Sequence, residues 1–302
     1  MAPAKPAVAW IGLGVMGSPM AENLLAAGYR VTGHTLEPHK LDRLAARGGV
    51  PAASVAEAVA GAEVVVTMLP ADAEVRAVVL GDGGVLEHAR RGALLIDMST
   101  VSPGTAVALA RAAVPRGVRV LDAPVSGGEA GAVEGTLSVM AGGEADDFAA
   151  ALPLLQALGT TVTHCGPHGT GQTVKAANQL VVAATLQACA EAVVLLEKSG
   201  VDLAAALDVL GGGLAASAVL SRKRENFLSR TYPPGFRIDL HHKDMGIVLA
   251  AAREVSAALP LGGLVAALVA AARAQGDGGL DHSALLRGVE RLSGLTPKGE
   301  AS

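Results

Sequence analysis

The chain has 302 residues, 51% of them apolar but only 2% aromatic, and a formal net charge of −4. Its length exceeds one ordinary domain and suits two hydrophobic cores, while a negative balance without clustered Lys and Arg excludes a nucleic-acid partner. Cys165 and Cys189 lack a metal-ligand spacing and residues 1–6 carry no apolar leader, so a cytoplasmic protein of a reducing compartment is expected.

Short β-rich runs alternate with helical patterns at residues 7–11, 30–33, 63–69, 93–97, 118–121 and 160–164, which predicts a mostly parallel sheet with crossover helices. The first run leads into Gly12-Leu13-Gly14-Val15-Met16-Gly17, and a helix is predicted over about 18–27. This is the strand–turn–helix context of a Rossmann fingerprint. Gly12 permits the tight turn, Gly14 lets a pyrophosphate approach the backbone, and Gly17 lets helix and strand pack closely. An NAD(P)H cofactor is therefore predicted on the first domain.

The second strand ends in Gly33-His34-Thr35-Leu36-Glu37. Thr35 and Glu37 are the candidate contacts to the adenosine ribose, and Glu37 favours NADH. Lys40 and Arg43 follow closely enough to meet a 2′-phosphate instead, and a solvated loop role for Glu37 before Pro38 stays open.

After Gly169 the strand signals stop. Apolar-periodic stretches at 171–198, 202–210, 215–227, 239–258, 262–275 and 281–293 predict an all-helical second half, giving domains over 1–167 and 168–302. The first stretch, about 28 residues and on the order of 40 Å, is long enough to be an interdomain helix. Leaving the last strand, it is expected to carry catalytic residues near its start. The apolar run 179–196 is interrupted by Gln187 and Glu191, so a buried helix is expected and no membrane partner. His241 and His242 diverge by about 100° on a helix with no third ligand placed, so no metal is expected. Ala-rich helices with more apolar surface than a small domain buries predict a homo-oligomer. The tail 296–302 looks disordered by composition.

Several segments carry a more specific signal: Gly12-Leu-Gly-Val-Met-Gly-Ser-Pro-Met20, Met68-Leu-Pro70, Asp97-Met-Ser-Thr100, Asp122-Ala-Pro-Val-Ser-Gly-Gly128 with Gly135-Thr-Leu-Ser138, Gly169-Thr-Gly-Gln-Thr-Val-Lys175, and Lys243-Asp244. In this order, over nearly the whole chain, they resemble the β-hydroxyacid dehydrogenase family, which includes 3-hydroxyisobutyrate dehydrogenase and is related to 6-phosphogluconate dehydrogenase. The resemblance implies a dimeric or tetrameric NAD(P)-dependent oxidoreductase acting on a small anionic semialdehyde or hydroxyacid. It makes Lys175 the catalytic acid/base and Ser126, Gly127 and Gly128 the holders of the substrate carboxylate. Met68, Leu69, Pro70, Glu74, Thr100 and Lys243 join the fingerprint loop around the cofactor, and Asn178, Gln179, Phe236 and Asp244 complete the substrate site.

The chemistry suits these residue types. A carbonyl receiving hydride builds negative charge on its oxygen, and an ammonium such as that of Lys175 protonates it, an effect typically worth about 10²–10⁴-fold. Asn178 and Gln179 lie three and four positions after Lys175 and share its side of the helix. Many family members have Asn-Asn at that point, so Gln179 narrows the subgroup. Lys175-Ala-Ala-Asn-Gln179, Gly212-Gly-Leu-Ala215, Pro234-Gly-Phe-Arg-Ile-Asp-Leu-His241 and Asp281-His-Ser-Ala284 are similar to the branch that reduces 2-hydroxy-3-oxopropanoate (tartronate semialdehyde) to D-glycerate. Alternatives are 3-hydroxyisobutyrate, succinic semialdehyde or glyoxylate as substrate. A non-catalytic cofactor-binding module is a further alternative, against which Lys175 and the Ser126-Gly-Gly turn both argue.

Overall fold

The structure, a computed structural model, describes residues 5–297. The predicted disordered tail lies outside the described residues from 298 onward. Two compact units divide between Lys175 and Ala176.

The first unit contains strands β1 (Ala7–Ile11), β2 (Arg30–His34), β3 (Val50–Pro51), β4 (Val64–Thr67), β5 (Leu94–Asp97), β6 (Arg119–Asp122), β7 (Val125–Ser126), β8 (Leu137–Gly143) and β9 (Gly159–Gly166). Between them run α1 (Gly17–Ala26), α2 (Pro38–Ala46), α3 (Val55–Val59), α4 (Asp72–Leu80), α5 (Val85–His88), α6 (Pro103–Ala113), α7 (Gly128–Glu134) and α8 (Ala145–Leu155). The strand order is β3-β2-β1-β4-β5-β6-β8-β7, with β9 on the other side of β8. The predicted Rossmann sheet is thus present, parallel from β3 to β6. Beyond β6 it turns antiparallel, because β8 runs against both β6 and β7. Sequence periodicity missed β3 and β7, two residues each, and β8, whose Ala141-Gly142-Gly143 end hides its alternation.

Central strands bury both faces, as crossover helices on each side require. Val64, Val66, Leu94 and Ile96 enter one core with Leu13, Met20 and Leu24. Their neighbours Val65 and Leu95 enter the opposite core with Val75, Val79 and Leu109. His34, Ile11, Thr67, Asp97 and Asp122 are register partners in one row across β2, β1, β4, β5 and β6. The motif segments Gly12–Met20, Met68–Pro70, Asp97–Thr100 and Asp122–Gly128 leave the sheet at or just beyond that row.

Helix α9 (Thr170–Lys198) carries the chain from the first unit into the second, where α10 (Leu203–Gly212), α11 (Ala218–Ser229), α12 (Ile238–Glu254), α13 (Pro260–Ala274) and α14 (Leu285–Leu292) follow. Asp202 and Ser217 cap α10 and α11 by accepting backbone N–H groups of the first turn. By length and composition α9 is apolar enough to cross a membrane. Its Ala183, Leu186, Ala190, Val193 and Val194 pack instead into the helical core with Phe227, Ile238, Met245 and Val265. The first turns of α9 are counted with the first unit, and they are bound to the end of β6, as described next.

Candidate active site

The fingerprint loop occupies the crevice where strand order reverses between β1 and β4, the position at which open α/β sheets take ligands. Gly12 has φ +100°, and its N–H donates to His34 O at 2.9 Å. A Cβ on Gly12 would overlap the Met68 carbonyl, and one on Gly17 would overlap the Gly12 carbonyl. Both positions therefore require glycine for the fold itself. Gly14 differs, since a Cβ there would meet nothing within 4 Å. The space over Gly14 is the room a pyrophosphate needs to reach the N-terminus of α1, so the loop fits a dinucleotide. Leu13 is buried beneath it, and Ser18 Oγ ties the turn to Leu13 O at 2.8 Å, while Val15 is exposed.

At the end of β2, Thr35 is half-buried and Glu37 is exposed. Lys40 hydrogen-bonds Glu37 and holds its carboxyl below the usual carboxylate range, with His39 adding its field. Arg43 and Arg47 both face Glu22 on α1. Lys40, Arg43 and Arg47, which follow β2, are thus each paired with an acid.

A buried polar chain supports the next two loops. Asp97 Oδ1 accepts from Thr67 Oγ1 at 2.7 Å and from Ser99 Oγ at 2.6 Å. With its proton committed to Asp97, Ser99 Oγ turns a lone pair to Leu69 N–H at 2.9 Å, which fixes the Met68-Leu69-Pro70 segment. Burial pushes the Asp97 carboxyl up, against hydrogen bonds from Ser99 and Thr67 that pull it down. Asp72, beside Pro70, collects Ser102 N, Ser102 Oγ and Thr105 Oγ1, so α4 and α6 are joined there. Glu74 lies exposed on α4 and Thr100 half-buried after β5.

Ser126 ends β7 opposite Ser138. Gly127 and Gly128 follow with φ +147° and +64°, conformations that only glycine adopts without strain. A Cβ on Gly127 would press on Leu137, whereas the space over Gly128 is open for 4 Å. The turn therefore leaves room over Gly128 beside the Ser126 hydroxyl, a composition that suits a carboxylate.

The start of α9 is gripped by Asp122. Its Oδ1 accepts Gly169 N–H at 2.7 Å and its Oδ2 accepts Gln172 N–H at 3.0 Å. Any Cβ on Gly171 would overlap Met140 O and approach Asp122 O, so glycine lets helix and strands meet. Burial raises the Asp122 carboxyl while these N–H donors pull it down. Lys175 follows one turn later, 6% exposed.

In the second unit, Gln179 is buried and its Nε2 donates to Asp244 Oδ2 at 2.6 Å, while Asn178 Nδ2 donates to Gln179 Oε1 at 2.9 Å. Asp244 also pairs with Lys243 at 3.1 Å, so these two charges neutralise one another. His241 Nε2 lies 3.3 Å from Gln179 O, and its Nδ1 lies 3.1 Å from His282 Nδ1. Phe236 packs edge-on against both imidazoles. Burial and the neighbouring His241 push His282 below its usual range. No group of three or more His, Cys, Asp or Glu suited to a metal exists among the described residues. An open hollow of about 580 Å³ lined by Asp239, His242 and Arg273 takes in none of the predicted site residues.

Comparison with known proteins decides the family. The NAD binding domain of 6-phosphogluconate dehydrogenase matches residues 7–166, and the NAD-binding domain of NADP-dependent 3-hydroxyisobutyrate dehydrogenase matches residues 169–289. The chain belongs to the 3-hydroxyisobutyrate dehydrogenase family. It is 38% identical to 2-hydroxy-3-oxopropionate reductase of Escherichia coli, covering 94% of this chain and 97% of that one. It is 41% identical to 3-hydroxyisobutyrate dehydrogenase of Pseudomonas aeruginosa, covering 92% and 96%. Among solved structures, Mycobacterium tuberculosis 3-hydroxyisobutyrate dehydrogenase with L-serine superimposes with a TM-score of 0.84 at 35% identity, over 94% of this chain and 99% of that one. This family member is accordingly an NAD(P)-dependent oxidoreductase acting on the CH–OH group of small hydroxyacids.

Sequence reasoning named the loops of this dehydrogenase but missed what holds them. Asp97, Ser99 and Asp122 lay inside quoted motifs with no role attached, and Gln172 stood unremarked within Gly169–Lys175. For Asp97 and Asp122 the signal was a polar residue ending a strand whose immediately preceding residues are apolar and buried, whereas Ser99 after the strand and Gln172 on the helix carried no such mark.

Proposed function

We propose that the protein reduces 2-hydroxy-3-oxopropanoate to D-glycerate with NADH. The observation that carries the substrate reading is the buried cluster of the helical unit, in which Gln179, Phe236, His241 and His282 meet. These residues come from three of the segments similar to the semialdehyde-reducing branch, separated in sequence and packed on one another. The fourth, Gly212–Ala215, lies exposed at the end of α10 and contributes nothing to the cluster.

In this reading the nicotinamide, when bound, supplies the hydride for reduction and accepts it in oxidation. Lys175 donates its proton to the carbonyl oxygen as negative charge grows there, and in the reverse direction the neutral amine withdraws the hydroxyl proton. Ser126 Oγ and the N–H groups of Gly127 and Gly128 hold the substrate carboxylate. Asn178 and Gln179 orient the remaining hydroxyl, with Gln179 held by Asp244, and Phe236 excludes water. The loop Gly12–Gly17 takes the pyrophosphate; Met68, Leu69, Pro70, Glu74, Thr100 and Lys243 line the rest of the cofactor. Thr35 and Glu37 take the adenosine ribose. Pairing of Lys40 with Glu37 and of Arg43 with Glu22 leaves the position suited to ribose hydroxyls, which supports NADH over NADPH.

Oxidation of 3-hydroxyisobutyrate is the second reading, favoured by the 41% identity to the Pseudomonas enzyme. Following nicotinamide absorbance with both cofactors against tartronate semialdehyde, methylmalonate semialdehyde, succinic semialdehyde and glyoxylate separates the two. The highest kcat/KM for tartronate semialdehyde is expected; a higher value for methylmalonate semialdehyde replaces the first reading with the second. Self-association belongs to the proposal as well, because α13 exposes Leu261 and Leu264 without a charge between Pro260 and Ala272. Light scattering that gives a monomer mass removes that part.

A further inference from the structure

The reading of Lys175 as acid/base leaves open what fixes the direction in which its side chain leaves the helix. A lysine on the second turn of a helix is placed by two quantities: how far the helix starts from the sheet, and how the helix is rotated about its axis. Asp122 sets the first, through Gly169 N–H and Gln172 N–H. The side chain of Gln172 sets the second.

Gln172 is fully buried. Its Nε2 donates to Ser99 O at 2.8 Å, and its Oε1 accepts Val101 N–H at 3.1 Å. Both carboxamide ends are therefore used on the backbone of one segment, residues 99–101, on either side of Thr100. These two opposed bonds, donor and acceptor, lie beside the lysine's turn and restrict the helix's rotation beyond what the two Asp122 bonds at its first residues do. The clamped segment is also the one whose Ser99 Oγ holds Leu69 N–H. One short stretch of backbone thus connects a loop assigned to the cofactor with the helix that bears the lysine.

We infer that Gln172 is a positioning residue for the reaction, rotating α9 so that the Lys175 ammonium is registered against the Leu69–Pro70 and Thr100 loops. The inference rests on the acid/base reading of Lys175 and adds to it a device that neither substrate nor cofactor touches. Truncating the carboxamide leaves the helix in place through Asp122 but lets it roll. A displacement of the reacting groups by about 1 Å is enough to cost on the order of 10²-fold in rate.

The test is a double-mutant cycle in the full-length protein between Gln172→Leu and Lys175→Ala, with tartronate semialdehyde and 3-hydroxyisobutyrate as substrates. Gln172→Asn, which keeps a polar group but is too short to span both partners, stands in should the Leu variant fold poorly. Each variant is also titrated with NADH by fluorescence. Expected for either Gln172 variant is a kcat lowered about 10- to 100-fold, an NADH Kd within about twofold of wild type, and no further loss when the Gln172 substitution is added to Lys175→Ala. Wild-type kcat in a folded Gln172 variant beside an inactive Lys175→Ala overturns the positioning role alone. Losses that multiply in the double variant overturn it too, by showing that Gln172 does not act through Lys175. Full turnover by Lys175→Ala itself removes the acid/base reading and the positioning role with it.

Discussion

Asp97 and Asp122 are register partners at the ends of neighbouring parallel strands, both 1% exposed, and each gathers the backbone or hydroxyl donors of the loops beside it. Burial pushes both carboxyls above the ordinary range, and the charge of Asp122 adds to the push on Asp97. A carboxyl with a higher pKa folded than unfolded stabilises the fold fully below its unfolded pKa, and the contribution is lost as pH rises through the folded value. Asp97→Asn, which cannot ionise, should therefore gain in Tm relative to wild type as pH is raised from about 4 to 7. Parallel Tm–pH curves for the two proteins would sink this account.

Lys175→Ala should lower kcat by roughly 10²-fold or more while the NADH Kd stays within about twofold, because the ammonium acts on the reacting oxygen rather than on the cofactor. Stopped-flow turnover and fluorescence titration measure the two quantities. Weakened NADH binding with unchanged kcat would assign the residue to the cofactor instead.

Gly14 and Gly17 separate folding from binding within one loop. Gly14→Val meets no protein atom near its Cβ, so the variant should melt like wild type without cofactor yet bind NADH at least about tenfold more weakly. Gly17→Ala places a methyl on the Gly12 carbonyl and should cost about 2 kcal/mol or more of stability. The reverse pattern in calorimetry and titration would show that the dinucleotide does not approach over Gly14.

Glu37→Ala removes the acid at the end of β2 and releases Lys40 from its partner. The KM for NADH should rise about tenfold and that for NADPH should fall, with kcat little changed in either case. An unaltered cofactor ratio would return Glu37 to the role of a solvated loop residue.

His282 is expected to make the helical unit sensitive to acid. Burial and the adjacent His241 hold it below the usual imidazole range, against the pull of Asp281, with the Lys223 ammonium also facing it. A base with a depressed folded pKa contributes stability that is present above its unfolded pKa, about 6.5, and lost as pH falls below it. His282→Gln should flatten the fall in Tm between about pH 6.5 and 5. A wild-type slope in that variant would place the acid sensitivity elsewhere.

The amino-acid sequence by itself determined the Rossmann domain, the helical second half and the family. Strand runs such as Val64–Thr67 and Leu94–Asp97 are buried on both faces, and their composition shows it without any partner being known. Gly12, Gly14 and Gly17 are legible for a similar reason, since a backbone conformation or close approach that only glycine permits marks the chain locally. Short β3 and β7 and the antiparallel return of β8 were decided by tertiary pairing, because two residues carry no periodicity and strand direction is a property of a pair. The tertiary structure alone also decided the grip on the lysine-bearing helix. Asp122 and Gln172 act on groups about 50 and 70 residues away in sequence, through hydrogen bonds whose partners are backbone atoms. Every residue has a backbone N–H or carbonyl to offer, so no side-chain pattern announces which of them a buried carboxylate or carboxamide will meet.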